Sequence, residues 1–440
     1  MTTPSLPVPT GRLAVVATVL SVAVAAFPGD STLGLVVVNG LLAGVALADW
    51  ARAPSPAGLS VERIAPGVVA LGQPATIEWR VTNPGDRVLR LSLADELAPS
   101  LGADRRRIAL VVPARARATA RASVVPARRG RFELRELAVR VEGPWRLAAR
   151  QDRRLLPATL RVYPPFGSRH EAELRINRAR ILEVGLRSAQ GRGGGTEFDA
   201  MRDYGPDDEF RRIDWPATAR AGKAIVRTYR AERNQSVLCL LDNGRVMAGR
   251  VAGVPRLEHA MDAVMMLTSV ATRLGDRAGL VAFDREIRAV VAPGHSRAQL
   301  ARVTEAIYEL EPQLVESDYH RAFVETLVRF RRRALLVVFT ELAEQAVADT
   351  LLPALPLVAR DHLVVLAGVQ DPAVVALAAS APDDAAGAYA KAAAVASLEE
   401  RRRLTGRLGG MGITVVDALP GRLAPSLADA YLKVKATGRL

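Results

Sequence analysis

The chain has a single cysteine, Cys239, in 440 residues. That excludes an intramolecular disulfide framework and any zinc or iron–sulfur centre built from several thiolates. Five histidines stand far apart, at His170, His259, His295, His320 and His362, and none forms a His-Glu-x-x-His. This argues against a zincin-type metallohydrolase. Aromatic residues make up only 5% of the chain, and the lysines are four: Lys223, Lys391, Lys433 and Lys435. The net charge of +14 is therefore almost wholly arginine. A basic chain suggests nucleic acid, but no aromatic-rich strand offers bases a stacking platform. Arginine in such excess, beside abundant alanine, is the composition drift of a GC-rich genome. Nucleic acid is disfavoured as a partner, and the charge bears more on membrane topology.

Apolar sequence, by contrast, is plentiful. With 49% apolar residues and a mean hydropathy of +0.11 the chain is not mostly disordered. It has room for two or three domains at roughly 100–200 residues each. No charge occurs from Leu13 to Gly29, nor from Ser31 to Ala48. These runs sit at the short end of the ~17–25 residues that span a bilayer. Pro28-Gly29-Asp30 between them signals a turn. Small residues recur four apart (Ala17, Ser21, Ala25; Gly40, Gly44), which lets two helices approach closely. Trp50 stands where an interfacial anchor stands. The competing reading is a signal peptide followed by an apolar stretch; against it, the start carries only Arg12 and a second run comes at once. A membrane hairpin of two transmembrane helices over residues 1–52 is expected, contributing no strand to either soluble domain. Arg12 and Arg52 flank its outer ends, so the positive-inside rule places both ends, and both soluble domains, in the cytoplasm.

After the linker Ala51–Gly58 short runs alternate with period two: Ala75–Thr82, Val88–Leu93, Arg107–Val112, Ala116–Val124, Phe132–Val141 and others. Half-buried antiparallel strands have this pattern. About seven of them over residues 58–164 predict an immunoglobulin-like β-sandwich, with no residues that suggest chemistry.

Residues 165–235 form a linker around the densest segment of the chain. Gly191-Arg-Gly-Gly-Gly-Thr-Glu-Phe198 lacks the Gly-Lys-Ser/Thr of a phosphate loop. Arg202, Tyr204, Asp207, Asp208, Arg211, Arg212, Asp214, Trp215 and Arg220 come next, with charges alternating in sign. Interleaved charges around Tyr204, Phe210 and Trp215 suggest an ion-pair network clamped on an aromatic core. The segment then reads either as a structural strap or as a docking surface, since Trp, Tyr and Arg are the usual hot-spot residues. A third reading, a hydrolase with an acidic site at Asp207, Asp208 and Asp214, suffers from the arginines alongside and the lack of histidine or cysteine.

Gly-Gly-Thr-Glu-Phe, Arg-Asp-Tyr-Gly-Pro-Asp-Asp, Arg-Arg-Ile-Asp-Trp and Thr-Ala-Arg, in this order and spacing, closely resemble the signature of the bacterial domain-of-unknown-function 58 family. The resemblance implies an N-terminal membrane hairpin, a β-rich region, this signature and a von Willebrand factor A-like domain, placed at a bacterial inner membrane. It implies no settled activity. Members often accompany a MoxR-type AAA+ ATPase, which suggests a partner or adaptor in a chaperone-like system.

From residue 236 to 440 strands and helices alternate. Val237–Leu241, Ala334–Phe339 and His362–Ala367 are continuous apolar runs, as in strands buried on both faces. Leu257, Met261, Val264, Leu267 and Leu274 recur at helical spacing. This alternation predicts a doubly wound α/β domain, with Gly279–Phe283 and Ile287–Val291 as an antiparallel edge pair. Gly275–Phe283 resembles the second-strand phrase of von Willebrand factor A domains. Those domains hold a metal with an Asp-x-Ser-x-Ser loop, a Thr and a second acid. The matching positions here are Asp242, Asn243, Ser317 and Glu341, with Gly244 and Val246 in place of the two serines. Mg²⁺ suits such oxygen ligands, but the site reads as degenerate, and Arg245 is expected to supply charge to Asp242 or Glu341. Together these features describe a membrane-anchored, non-catalytic interaction or adaptor protein without a required cofactor.

Overall fold

The computed structural model describes residues 7–26, 31–189, 197–206, 208–230, 235–342 and 345–437. It forms two compact units, Met1–Tyr163 and Pro164–Leu440. Residues 27–30, where the sequence signals a turn, lie outside the described residues, as do 191–196 and Asp207.

The first unit opens with strand β1 (Pro7–Pro9) and two apolar helices, α1 (Gly11–Ala26) and α2 (Ser31–Arg52). Among the described residues one helix, near the N-terminus, is long and apolar enough to cross a membrane. Val19, Val22, Val36 and Leu41 on the two helices are exposed. Strands β2 (Ser60–Ile64), β3 (Val68–Ala70), β4 (Ala75–Thr82), β5 (Leu89–Asp95), β6 (Arg107–Val112), β7 (Arg117–Val124), β8 (Gly130–Glu142) and β9 (Ala148–Tyr163) come after them. They form two sheets, β2-β4-β7 and β1-β9-β8-β5-β6, with β3 parallel to the end of β9. In β4, Ile77, Trp79 and Val81 point inward and the residues between them outward, the alternation a half-buried strand requires. These side chains meet Leu91, Leu93, Leu137, Val139, Leu160 and Val162 in one core, so the architecture is a β-sandwich.

One ion pair lies inside this core. Arg63 grips Asp95 with two bonds, Nε to Oδ2 at 2.8 Å and Nη2 to Oδ1 at 2.6 Å, and the Trp79 indole N–H donates to Asp95 Oδ2 at 2.8 Å. The remaining guanidinium protons go to the carbonyls of Leu134, Leu156 and Glu136. A buried pair is tolerated only when its donors and lone pairs are satisfied in this way. Burial nonetheless pushes the Asp95 carboxyl above its ordinary value, against the pull of Arg63.

The expectation that the N-terminal segment contributes no strand is not met. Pro7–Pro9 pairs antiparallel with Ala148–Arg150 at the start of β9. Proline at a sheet edge costs no ladder bond, because its missing N–H faces outward.

The second unit is α/β. Its elements are α3 (Arg169–Ala189), β10 (Glu197–Asp203), α4 (Trp215–Ala221), β11 (Ile225–Arg230), β12 (Ser236–Asp242), α5 (Arg245–Ala248), β13 (Arg250–Val251), β14 (Val254–Pro255), α6 (Arg256–Arg273), β15 (Arg277–Phe283), β16 (Ile287–Gly294), α7 (Gln299–Ile307), α8 (Tyr319–Arg329), β17 (Leu335–Phe339), α9 (Gln345–Ala359), β18 (Leu363–Val369), α10 (Pro372–Ala379), α11 (Ala385–Gly410), β19 (Thr414–Ala418) and α12 (Leu423–Ala436). The main sheet has the order β16-β15-β12-β17-β18-β19, parallel except for the antiparallel edge strand β16. β12 and β17 are buried along nearly their whole length, which is why they read as unbroken apolar runs. Helix α6 buries Leu257, Met261, Val264, Leu267 and Val270 against this sheet and packs on α12.

Candidate functional site

Strands β12, β15 and β16 run outward one way in the sheet, and β17, β18 and β19 the other. The order therefore reverses between β12 and β17, and an open α/β sheet binds ligands at the carboxyl ends of the strands at such a point. Asp242 ends β12; Thr340 and Glu341 lie just past the end of β17.

Asp242 is wholly buried. Its Oδ1 accepts from the Ser317 hydroxyl at 2.5 Å and the Gly244 N–H at 2.8 Å. Its Oδ2 accepts from the Tyr319 hydroxyl at 2.6 Å and the Thr340 hydroxyl at 2.7 Å. Burial pushes this carboxyl up from its ordinary range, and the hydroxyls of Ser317 and Tyr319 pull it back. Gly244 stands where a metal-binding loop carries serine. A Cβ there would collide with the Ser317 oxygen, so the glycine admits the hydroxyl that occupies Asp242.

Glu341, the second candidate acid, faces cations. Arg256 Nε lies 2.6 Å from its Oε2, and Arg401 Nη1 bonds its Oε1. Arg401 also grips Asp417 with bonds of 2.6 and 2.7 Å and donates to the Val369 carbonyl, tying together the ends of β17, β18 and β19. Arg256, Glu341 and Arg401 rim a cavity of about 260 Å³, shared with Gln370 and Asp371. Asn243 donates its side-chain amide to the Glu311 carbonyl at 2.9 Å. Arg245 meets Glu316 at 3.7 Å on the surface; the cations on Glu341 are Arg256 and Arg401, which differs from the expectation for Arg245.

Asp242, Asn243, Ser317 and Glu341 therefore do not fit a divalent cation. One carboxylate holds four hydrogen-bond donors, and the other is neutralised by two guanidinium groups. Among the described residues no cluster of three or more His, Cys, Asp or Glu is set to hold a metal.

The signature segment folds as an antiparallel hairpin of β10 and β11, with a short 3-10 turn (Phe210–Arg212) and α4 between them. Asp214 is the cap of α4: its Oδ1 accepts the Ala217 N–H at 2.9 Å, and its Oδ2 accepts Arg227 Nε at 2.6 Å. The Ala217 N–H and Arg227 hold its carboxyl below the ordinary value. Arg202 pairs with Asp208 at 2.5 Å, and Asp208 also caps the turn at the Gly205 N–H. Arg212 meets Glu209 at 3.3 Å, and Arg220 donates to the Pro216 carbonyl. Arg211 is exposed. Arg227, not Arg211 or Arg212, is thus the cation on Asp214.

The aromatic residues of this segment do not form a core. Phe210 is 68% exposed and Trp215 57%, and their rings meet edge to face at 5.5 Å. Tyr204 and Met201 are exposed as well. Tyr319, Thr340, Arg256 and Arg401 escape detection from sequence pattern. For the first two, hydroxyl-bearing residues next to Ser317 and to the end of an apolar strand are the available signal.

Residues 200–387 match the family described as "Protein of unknown function DUF58". The DUF58 match covers the hairpin from Ala200 onward, the switch point and the strands up to β18. No curated protein matches the chain. Two solved structures similar to part of it are of the CARDB domain of a Pyrococcus furiosus protein. The solution structure shows 14% identity over 24% of this chain and 94% of that one, with a TM-score of 0.17. The crystal structure of that domain in complex with di-metal ions shows 12% identity over 26% and 90%, with a TM-score of 0.18.

Proposed function

We propose that this chain is a membrane-anchored, non-catalytic interaction protein that docks a protein partner through its signature hairpin. The partner proposed is an AAA+ ATPase of the MoxR type, and the α/β unit is proposed to be von Willebrand factor A-like, a reading supported by its strand order and antiparallel edge. The observation that carries the proposal is the Phe210–Trp215 pair. Two large aromatic side chains left mostly in water, in edge contact and beside the exposed Arg211, have the composition of an interface hot spot. Catalysis has less support. Asp208 and Asp214 are each committed to an arginine and to a backbone N–H, and Asp242 is taken up by the Ser317, Tyr319 and Thr340 hydroxyls and the Gly244 N–H, with no histidine among its bonded partners. The membrane anchor is supported by the apolar helix near the N-terminus. Co-purification from detergent-solubilised membranes tests the proposal. The wild type should retain an AAA+ ATPase, and a Phe210→Ala/Trp215→Ala variant should lose it while melting at the same temperature. Equal retention by both would refute the assignment of the hairpin.

A further inference from the structure

The end of helix α2 is fastened to the β-sandwich rather than joined to it by a free linker. A carboxylate in the last turn of a helix faces the negative end of the helix dipole and needs donors from elsewhere. Asp49, wholly buried, finds three: the backbone N–H groups of Trp145 and Leu147 at 2.8 Å, in the β8–β9 turn, and of Ala148 at 3.0 Å, at the start of β9. Gly143 permits this approach, because a Cβ there would overlap the Asp49 carboxylate. From the other side the Thr10 hydroxyl donates to the Arg146 carbonyl at 2.6 Å, and the Thr10 N–H donates to the Leu147 carbonyl. Both apolar helices thus start or end on one turn of the sandwich.

This joint carries a collar of tryptophan and arginine. The Arg52 guanidinium lies over the Trp145 ring at 5.2 Å, and Arg150 over the Trp50 ring at 5.2 Å. Arg150 also donates to the carbonyls of Trp50 and Ala51 at the helix end. Arg146 is offset by Glu142 at 2.9 Å, and Asp49 is satisfied, but the cations of Arg52 and Arg150 face no carboxylate among the described residues. The Trp50 indole N–H is buried without an acceptor, and Trp145 is half exposed. Two guanidinium groups and an orphaned N–H donor, set at the end of an apolar helix, ask for an oxyanion at the level of lipid headgroups.

We propose that Arg52, Arg150, Trp50 and Trp145 form a binding site for the phosphate-bearing headgroup of an anionic lipid. It would seat the β-sandwich directly on the membrane surface. The proposal rests on the membrane-anchored reading, and the test separates the two. Full-length protein is placed in nanodiscs of mixed phosphatidylglycerol and phosphatidylcholine, released, and its retained lipids are counted by native mass spectrometry. The wild type should retain phosphatidylglycerol over phosphatidylcholine by roughly tenfold. Arg52→Gln/Arg150→Gln should lose that preference, and Arg52→Lys/Arg150→Lys, which keeps the charge, should hold much of it. Added inorganic phosphate should leave the preference intact; displacement of the lipid by it would overturn the lipid assignment in favour of free phosphate. A wild type that resists carbonate extraction yet shows no preference, or a glutamine variant that keeps it, overturns the headgroup site alone. Release of the wild type by carbonate overturns the anchor and the site together.

Discussion

Four donors converge on Asp242, and their removal sets a measurable cost. Asp242→Ala removes the acceptor of three hydroxyls and a backbone N–H; Tyr319 and Thr340 still reach each other at 2.8 Å, so one of that pair keeps a partner, and each group left unsatisfied costs about 1–3 kcal/mol. The unit should lose about 3 kcal/mol or more, whereas Tyr319→Phe should cost about 1 kcal/mol; denaturant titration of both variants checks this. Burial raises the Asp242 carboxyl, so the fold binds this proton more tightly than the unfolded chain does. Its contribution should therefore fall as pH rises above the ordinary carboxylate value and through the raised one. Asp242→Asn should flatten that part of the pH profile. Asp214 has the opposite sign. Its carboxyl is lowered by the Ala217 N–H and Arg227, so its stabilisation should be full above the ordinary carboxylate value and vanish as pH falls through the lowered one. Asp214→Asn, which can cap but cannot pair with Arg227, should remove this acid-side loss. Millimolar Mg²⁺ should leave the melting temperature unchanged, whereas binding at a hundred times Kd would add about 2.7 kcal/mol. A rise that Asp242→Ala abolishes would contradict this reading of the site.

At the scale of elements, pattern and packing are unequally legible. Strands such as β4 and β6 announce themselves by alternation, and β12 and β17 by unbroken apolar runs. The first half of β9, Ala-Ala-Arg-Gln-Asp-Arg-Arg, has no such period; it is a strand because β8 and β1 flank it. Pro7-Val-Pro9 lacks any strand signal and is fixed by its partner. Arg63 looks like one more solvated arginine, yet it lies in the core, since a single residue type cannot announce the Asp95 that awaits it. Within the candidate site, Asp242 and Ser317 are legible through the resemblance to von Willebrand factor A domains and do meet, whereas the partners of Glu341 come from α6 and α11, far away in the chain. Arg63 yields a sharp prediction. Asp95→Ala leaves a buried guanidinium without its counter-charge and should destabilise the sandwich by roughly 3–5 kcal/mol. A loss below about 1 kcal/mol in a chemical melt, the range of an exposed pair, would show that water reaches it.

At the scale of the whole molecule, the N-terminal helices and the sandwich belong to one unit. Removing residues 1–52 deletes β1 and Asp49 together, so the truncated protein should melt below the full-length chain in the same detergent. Gly143→Ala, which drives a methyl group into the Asp49 carboxylate, should lower the melting temperature of the intact chain in the same direction. The second unit stands on its own core, and its Phe210–Trp215 pair is left exposed among the described residues. The central claim is that this pair recruits a partner, and affinity measurement against the purified AAA+ ATPase addresses it most directly. Full-length wild type should bind, and Phe210→Ala/Trp215→Ala should weaken binding by at least about 2 kcal/mol, or roughly thirtyfold, as expected for hot-spot residues, with its melting curve unchanged. Equal affinity of the two proteins for the ATPase would contradict it.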